Sequence, residues 1–221
     1  MSATPEQEQT EFGATALPYE LLMQIQAGTM AYTYKGVPTL KNPFDLALYS
    51  KLLWEQKPRT VLEVGSNAGG SAIWLADQCE MMALGAHVHS VDVVGVTAVH
   101  HPGVTFVEGD GRDLSGTWTR EWLAALPRPL LVIEDADHFY DTTAAVLEYL
   151  RPIMSPGEMI VVEDGILNAM RVEHLYNGGP VRAVAEFLLR HGDSWEIDRR
   201  YCDFFGHNVT WNTDGFLRRR K

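Results

Sequence analysis

Two short runs, Glu134-Asp-Ala-Asp-His138 and Glu163-Asp164, concentrate five carboxylates and one imidazole in a chain of 221 residues. Each follows an apolar stretch, Pro129-Leu-Leu-Val-Ile133 and Met159-Ile-Val-Val162, of the kind that forms a parallel strand buried on both faces. Neighbouring strands of that type would deliver these acids to one rim, where like charges a few ångströms apart repel and raise one another's pKa. A hard divalent ion such as Mg2+ relieves the repulsion, because it takes one or two carboxylates together with waters and substrate oxygens. The candidate metal ligands are Asp135 or Asp137 from the first run and Glu163 and Asp164 from the second; the spacing leaves the choice between the two aspartates open. His138 titrates near neutral pH and suits a general base for a hydroxyl held by the ion, with Asp137 as the alternative base.

A second constellation lies upstream. Residues 61–71, Val-Leu-Glu-Val-Gly-Ser-Asn-Ala-Gly-Gly-Ser, read as a buried strand ending in an acid, then a glycine-rich turn that opens a helix. Gly65 and Gly69 allow the main chain to approach a ligand closely. Glu63 at the strand end repels a phosphate and welcomes a cation or a sugar hydroxyl. A phosphate-binding P-loop would need Gly-Lys-Ser/Thr, and a dinucleotide fingerprint would need glycine where Asn67 stands. The next strand, 86–92, ends in Asp92, about 20 residues past the glycines, the position from which an acid grips ribose hydroxyls. A third, 104–107, runs into Glu108-Gly-Asp-Gly111. Three successive strand ends that handle a sulfonium cation, a ribose and an adenine in that order look like an S-adenosylmethionine site.

The elements needed to hold both constellations alternate along the chain. Strands at 60–64, 86–92, 104–107, 129–134 and 158–163 and helices at 69–83, 119–126, 140–154 and 180–191 give a βαβ rhythm. Two late strands near 195–200 and 207–212 complete an α/β fold with a seven-stranded, mostly parallel sheet and helices on both faces. Asn42-Pro43 reads as the cap and first position of a helix whose stripe, Leu46, Tyr49, Leu52 and Leu53, covers that sheet. A short helix is expected at 19–27, and residues 1–34 read as an N-terminal arm or lid ahead of a single catalytic domain at 35–221. Tyr140 is a candidate wall of the acceptor pocket. His87, His89 and Trp74 are read as structural, while His100-His101, in the loop after the second strand, are left between a substrate contact and no role.

Composition narrows the partners. A formal net charge of −11 argues against nucleic acid and anionic membrane surfaces. No apolar run approaches the roughly 18 residues of a membrane helix, and two cysteines make no disulfide framework. With an acidic, polar start, these features predict a cytoplasmic protein. Tyr32, Tyr34, Phe204 and Phe205 suit a subunit contact in a homo-oligomer or, equally, pocket walls.

Gly36-Val-Pro-Thr-Leu-Lys41-Asn-Pro-Phe-Asp45, Leu53-Trp-Glu-Gln-Lys-Pro58, Glu63 to Ser71, Asp135-Ala-Asp-His138, Val162-Glu-Asp164 and Asp214-Gly-Phe-Leu217 together resemble the cephalosporin hydroxylase family, which includes rhamnosyl O-methyltransferases. The resemblance implies a Rossmann-like class I methyltransferase whose final strand runs antiparallel between its neighbours. It implies S-adenosylmethionine held by Glu63, Gly65, Ser66, Asn67, Gly69, Ser71, Asp92, Asp110 and Asp135. It further implies Mg2+ held by Asp135 or Asp137 with Glu163 and Asp164, and a base three residues after the first metal acid, which is His138 if that acid is Asp135. Glu134 makes the run one carboxylate richer than the family pattern. The implied reaction is Mg2+-dependent methylation of a small-molecule hydroxyl, on a sugar or glycosylated natural product of secondary metabolism such as antibiotic biosynthesis. The rival readings are a non-catalytic S-adenosylmethionine-binding partner in a two-component tailoring system and an NAD-dependent oxidoreductase, the latter disfavoured by Asn67.

Overall fold

The structure is a computed structural model and describes residues 12–221. Helix α1 (Tyr19–Ala31) leads into a two-stranded hairpin, β1 (Thr33–Tyr34) and β2 (Val37–Pro38). Its turn residues Lys35 and Gly36 both take positive φ, 52° and 82°, matching the twist of tight hairpins. Helix α2 (Pro43–Gln56) starts as expected: the Asn42 side chain accepts the Asp45 N–H, and Pro43 at the first position loses no helical bond.

The remaining elements are β3 (Thr60–Val64), α3 (Gly70–Met81), β4 (His87–Asp92), β5 (Val104–Glu108), α4 (Arg120–Ala125), β6 (Leu130–Glu134), α5 (Tyr140–Leu150), β7 (Met159–Val162), α6 (Gly179–His191), β8 (Trp195–Ile197), α7 (Arg199–Cys202) and β9 (Phe216–Arg219). Seven strands form one sheet in the order β5-β4-β3-β6-β7-β9-β8, with β9 antiparallel to both neighbours. Every residue of β3, β6 and β7 is buried, as continuous apolar runs require. On one face pack α2, α3 and α7, around Leu52, Leu53, Trp74 and Tyr201; on the other pack α4, α5 and α6, around Leu123, Leu147 and Phe187. A smaller cluster, Leu22, Ile166, Leu167, Met170 and Trp211, seats α1 against the segments that follow β7 and precede β9.

Expected boundaries change at helix 140–154 and at both late strands, the first of which is Trp195–Ile197 and not 195–200. Helix α5 stops at Leu150 and tightens into a 3-10 turn at Arg151–Ile153, because Pro152 cannot donate the next helical bond. The last strand is Phe216–Arg219, not 207–212. In 207–214 polar side chains take the backbone groups that a ladder would use: Asn212 N–H donates to Thr210 Oγ1, Asp214 N–H to Asn208 Oδ1, and Trp211 N–H to Asp45 Oδ2. The described part of the arm is fixed on this loop, with Gly13 N–H donating to Asp214 Oδ2 at 2.6 Å and Ala16 N–H to the His207 carbonyl at 2.9 Å. Residues 1–11 of the arm lie outside the described residues.

Candidate active site

Parallel β3, β4, β6 and β7 present their carboxyl ends to the same rim. Directly after β3, Gly65 takes φ 104° and passes so close to the next strand's exit that an added Cβ would lie 1.8 Å from the Asp135 carbonyl oxygen. Only glycine fits there. Asn67 and Gly69 also take positive φ, 45° and 87°, and Gly69 caps α3. Asp92 Oδ2 accepts the Asn67 N–H at 2.8 Å and its Oδ1 the Val94 N–H at 3.1 Å, so the acid at the end of β4 anchors the turn. Ser66 Oγ meets Ser90 Oγ at 2.6 Å, and Ser90 donates to Glu63 Oε2. Burial raises the Glu63 pKa, and its Oε1 accepts no hydrogen bond among the described residues.

Two cavities open on this rim. The larger, about 630 Å3, is lined by Gly65, Ser66, Asn67, Ser71 and Asp92 on one side and by Asp135, His138 and Asp164 on the other. Gln26 and Met30 of α1, with Tyr176 and Trp211, close its far wall. The smaller, about 220 Å3, shares Gly65, Asp92 and Ala136 with it and is lined beyond them by Asp110, Arg112, Asp137 and Thr142. Asp92 therefore stands between the two compartments, with Asp110 in the second, in the order expected from the strand ends.

The acidic runs separate into three environments. Ligand atoms of Asp135, His138 and Asp164 lie within 4.8 Å of one another. His138 Nδ1 is 3.2 Å from Asp164 Oδ2. Burial opposes protonation of His138, but Asp164, Asp135 and Glu134 outweigh it and hold its pKa above the ordinary value. Burial, reinforced by Asp164, pushes Asp135 up to about 6, although Lys41 and His138 pull it down.

Glu163 sits behind this group, 4 % exposed and off both cavity walls. Its Oε1 accepts the Tyr49 hydroxyl at 2.6 Å and its Oε2 the Lys41 ammonium at 2.6 Å, while Lys41 also donates to Asp135. Burial and the neighbouring Asp135 push Glu163 up to about 7.

Asp137 faces the other way. Arg112 Nη2 donates to its Oδ2 at 2.7 Å and the Phe139 N–H to its Oδ1 at 3.1 Å, which places the carboxylate on the smaller cavity. Of the four candidate ligands, then, only Asp135 and Asp164 come together with His138 on the larger cavity. Strand alternation would put residues 135 and 137 on one face, but β6 ends at Glu134 and the turn that follows, in which His138 takes φ 61°, sends them to opposite sides of Ala136, which lines both cavities. Tyr140 is likewise elsewhere. Its hydroxyl donates to Glu186 at 2.6 Å and its ring lies under the Arg182 guanidinium.

His89, read as structural, packs edge-on against Trp122, and His101, which the sequence leaves open to a substrate contact, meets Asp77 at 3.2 Å and lines neither cavity of the rim. Lys41, Tyr49, Gln26, Tyr176 and Trp211 were not singled out by the sequence as site residues. Tyr49 was visible only as part of an apolar stripe, whereas its hydroxyl reaches the site.

The family model described as rhamnosyl O-methyltransferase/CmcI matches residues 27–220. The chain belongs to that family. It is an S-adenosylmethionine-dependent O-methyltransferase of the class I, Rossmann-like fold. A rhamnosyl O-methyltransferase of Mycobacterium leprae (strain TN) is 29% identical over 192 residues, which cover 85% of this chain and 83% of the relative. A solved structure described as CmcI with Mg and SAM aligns with TM-score 0.68 at 26% identity, covering 87% of this chain and 78% of that one. An O-methyltransferase from Bacillus cereus in complex with SAH, 17% identical with TM-score 0.52 over 91% of each chain, shares the fold.

Proposed function

We propose that this methyltransferase transfers the methyl group of S-adenosylmethionine to a hydroxyl of a sugar or glycosylated natural product, and that Mg2+ is required. One observation carries the reading: Asp135, His138 and Asp164 open on the same cavity as the Gly65–Asn67 turn and Asp92. The residues fit both groups. Glu63 lies buried beneath the glycine turn, off both cavity walls, where its charge favours a cation above it, with Asp92 lining both cavities for a ribose and Asp110 lining the smaller for an adenine. Asp135 and Asp164 supply hard oxygen donors on an open wall, as a divalent ion prefers, with Glu163 directly behind them. When bound, the ion supplies Lewis acidity that eases loss of the acceptor proton.

The chain's own residues do the rest. Asp164 engages Nδ1 of His138, so Nε2 is the atom left to take the acceptor hydroxyl proton. The rim, walled by α1 and Tyr176, holds two reactants in one cavity, which supplies orientation for a bimolecular step. Trp211 and Tyr176 offer aromatic surface to a sugar ring, and Gln26, which accepts the Trp211 indole N–H at 2.6 Å, offers its amide to a hydroxyl.

The buried free thiols Cys79 and Cys202 fit a reducing cytoplasm, and exposed Phe204 and Phe205 fit a contact between copies of the chain. Among the described residues no helix is long and apolar enough to cross a membrane. The test is transfer of labelled methyl from S-adenosylmethionine to a panel of rhamnosides and macrolide-type glycosides, with Mg2+ and with EDTA. Product that forms equally well in EDTA removes the metal from the reading. Tight S-adenosylhomocysteine binding with no product on any hydroxyl acceptor removes the reaction.

A further inference from the structure

Lys41 is 6 % exposed, and its ammonium touches two acids from two different strand ends, Asp135 after β6 and Glu163 after β7. It enters the site from the segment between β2 and α2, where Leu40 takes the left-handed φ of 54° and turns the chain inward. Neither partner is a surface residue: Glu163 is 4 % exposed and the Asp135 side chain 18 %. Two carboxylates, Asp135 and Glu163, share this one permanent cation, with Asp164 beside Asp135, and removing one member of such a buried group leaves charge without compensation. Asp135 is the member common to both sets. It pairs with Lys41 and also belongs to the group with His138 and Asp164 that opens on the larger cavity.

Resting on the metal-dependent reading above, we propose that Lys41 is a built-in counter-ion for the divalent cation: it keeps Asp135 and Glu163 apposed in the metal-free protein and gives up Asp135 when the metal enters. Two cations that need one carboxylate compete for it. The lysine ammonium is a point charge on a flexible four-carbon stem, so it withdraws without moving the backbone. Lys41 acts through the two acids and is a positioning residue. It lowers the affinity for metal and preserves the shape of the site.

This makes two quantities move in opposite directions. In Lys41→Met the melting temperature in EDTA falls, since Asp135 and Glu163 lose their cation. Mg2+ binding, read by titration calorimetry on the full chain, becomes tighter by roughly ten- to a hundredfold, the usual size of coupling between two sites. A merely structural lysine would weaken both together. Lys41→Arg keeps the charge and should keep both values near those of the unmodified protein.

Should Lys41→Met be unfolded in EDTA, its folded fraction is followed by circular dichroism across a Mg2+ titration. Recovery with Mg2+ supports the counter-ion role, and a variant that stays unfolded at saturating Mg2+ overturns it. Mg2+ binding that is unchanged or weaker in folded Lys41→Met overturns it as well. Absence of Mg2+ binding to the unmodified protein is a different failure and removes the metal-dependent reading itself.

Discussion

His138 and Asp164 meet at 3.2 Å, Nδ1 to Oδ2, and both hold left-handed backbone, with φ of 61° and 57°. Neither is glycine, so each conformation carries strain of about 1–3 kcal/mol, of a kind that persists where surrounding structure over-determines it and that clusters at active sites. The two residues leave adjacent parallel strands, β6 and β7, and turn back toward each other across the rim. The pair fixes the imidazole in one orientation, with Nε2 available to the cavity.

Removing that imidazole should separate chemistry from binding. His138→Gln is expected to lower kcat by about 10²- to 10⁴-fold, the usual contribution of a positioned base. S-adenosylhomocysteine affinity should stay within about twofold, a change of about 0.4 kcal/mol or less, because the glycine turn and Asp92 are untouched. Single-turnover methyl transfer and calorimetry measure the two. A variant with full kcat would place the base elsewhere.

Glu134 gives the metal-free protein a pH dependence of definite sign. It is 1 % exposed, accepts the Ala136 N–H at 3.4 Å, and is pushed by burial from the ordinary 4.5 up to about 7. A folded pKa above the unfolded one means that the folded state holds the proton more tightly. The stabilisation is complete below about 4.5 and is lost as pH rises through about 7. Denaturant unfolding in EDTA should therefore show stability falling between those values. Glu134→Gln cannot ionise and should make the slope shallower, with Asp45, Asp135 and Glu163 supplying the remainder in the same window, and should gain up to about 3 kcal/mol over the unmodified protein at pH 8. An equal slope in both proteins would show that Glu134 is not the group responsible.

Gly65→Ala should be among the most damaging single changes. Its Cβ would overlap the Asp135 carbonyl oxygen at 1.8 Å, and neither backbone can withdraw without parting β3 from β6. A cost of about 3 kcal/mol or more is expected, from overpacking together with the positive φ. Thermal melts and S-adenosylhomocysteine titration would register it. Gly36→Ala, also at positive φ but with no atom within 4 Å of its added Cβ, is the control for backbone strain alone.

What the sequence made legible was local. The strand–turn–helix at 60–81 and the cap at Asn42-Pro43 follow from residue types that have few alternatives. The strand ends at Asp92, Glu134 and Val162 were legible from their acids: β4 and β6 stop on one, and β7 stops just before Glu163. Contacts made across the chain were not legible. Lys41 stands just before a helix cap with no acid beside it in the chain to mark it, while its partners lie 94 and 122 residues away. Val209 and Trp211 alternate like a strand, and only the side-chain bonds of Asn208 and Thr210 make them a loop. The choice between Asp135 and Asp137 depended on which side of Ala136 each side chain leaves, which no spacing encodes.

That choice has its own experiment. Asp135 shares the larger cavity with His138 and Asp164, whereas Asp137 is bound to Arg112 on the smaller one. Asp135→Asn should thus abolish calorimetric Mg2+ binding, because it removes a charged oxygen donor from the cluster. Asp137→Asn should leave Mg2+ binding within about threefold, since the ion pair it breaks is exposed at 58 % and 40 % and such pairs contribute under about 1 kcal/mol. The same variant frees Arg112, whose Nε also donates to Thr142 at 3.2 Å, from the wall of the compartment that Asp110 lines. Its measurable defect should be weaker S-adenosylhomocysteine binding, by about two- to fivefold, within the range of one exposed pair. Loss of Mg2+ binding in Asp137→Asn together with its retention in Asp135→Asn would reverse the assignment and require the 135–138 turn to rearrange on metal binding.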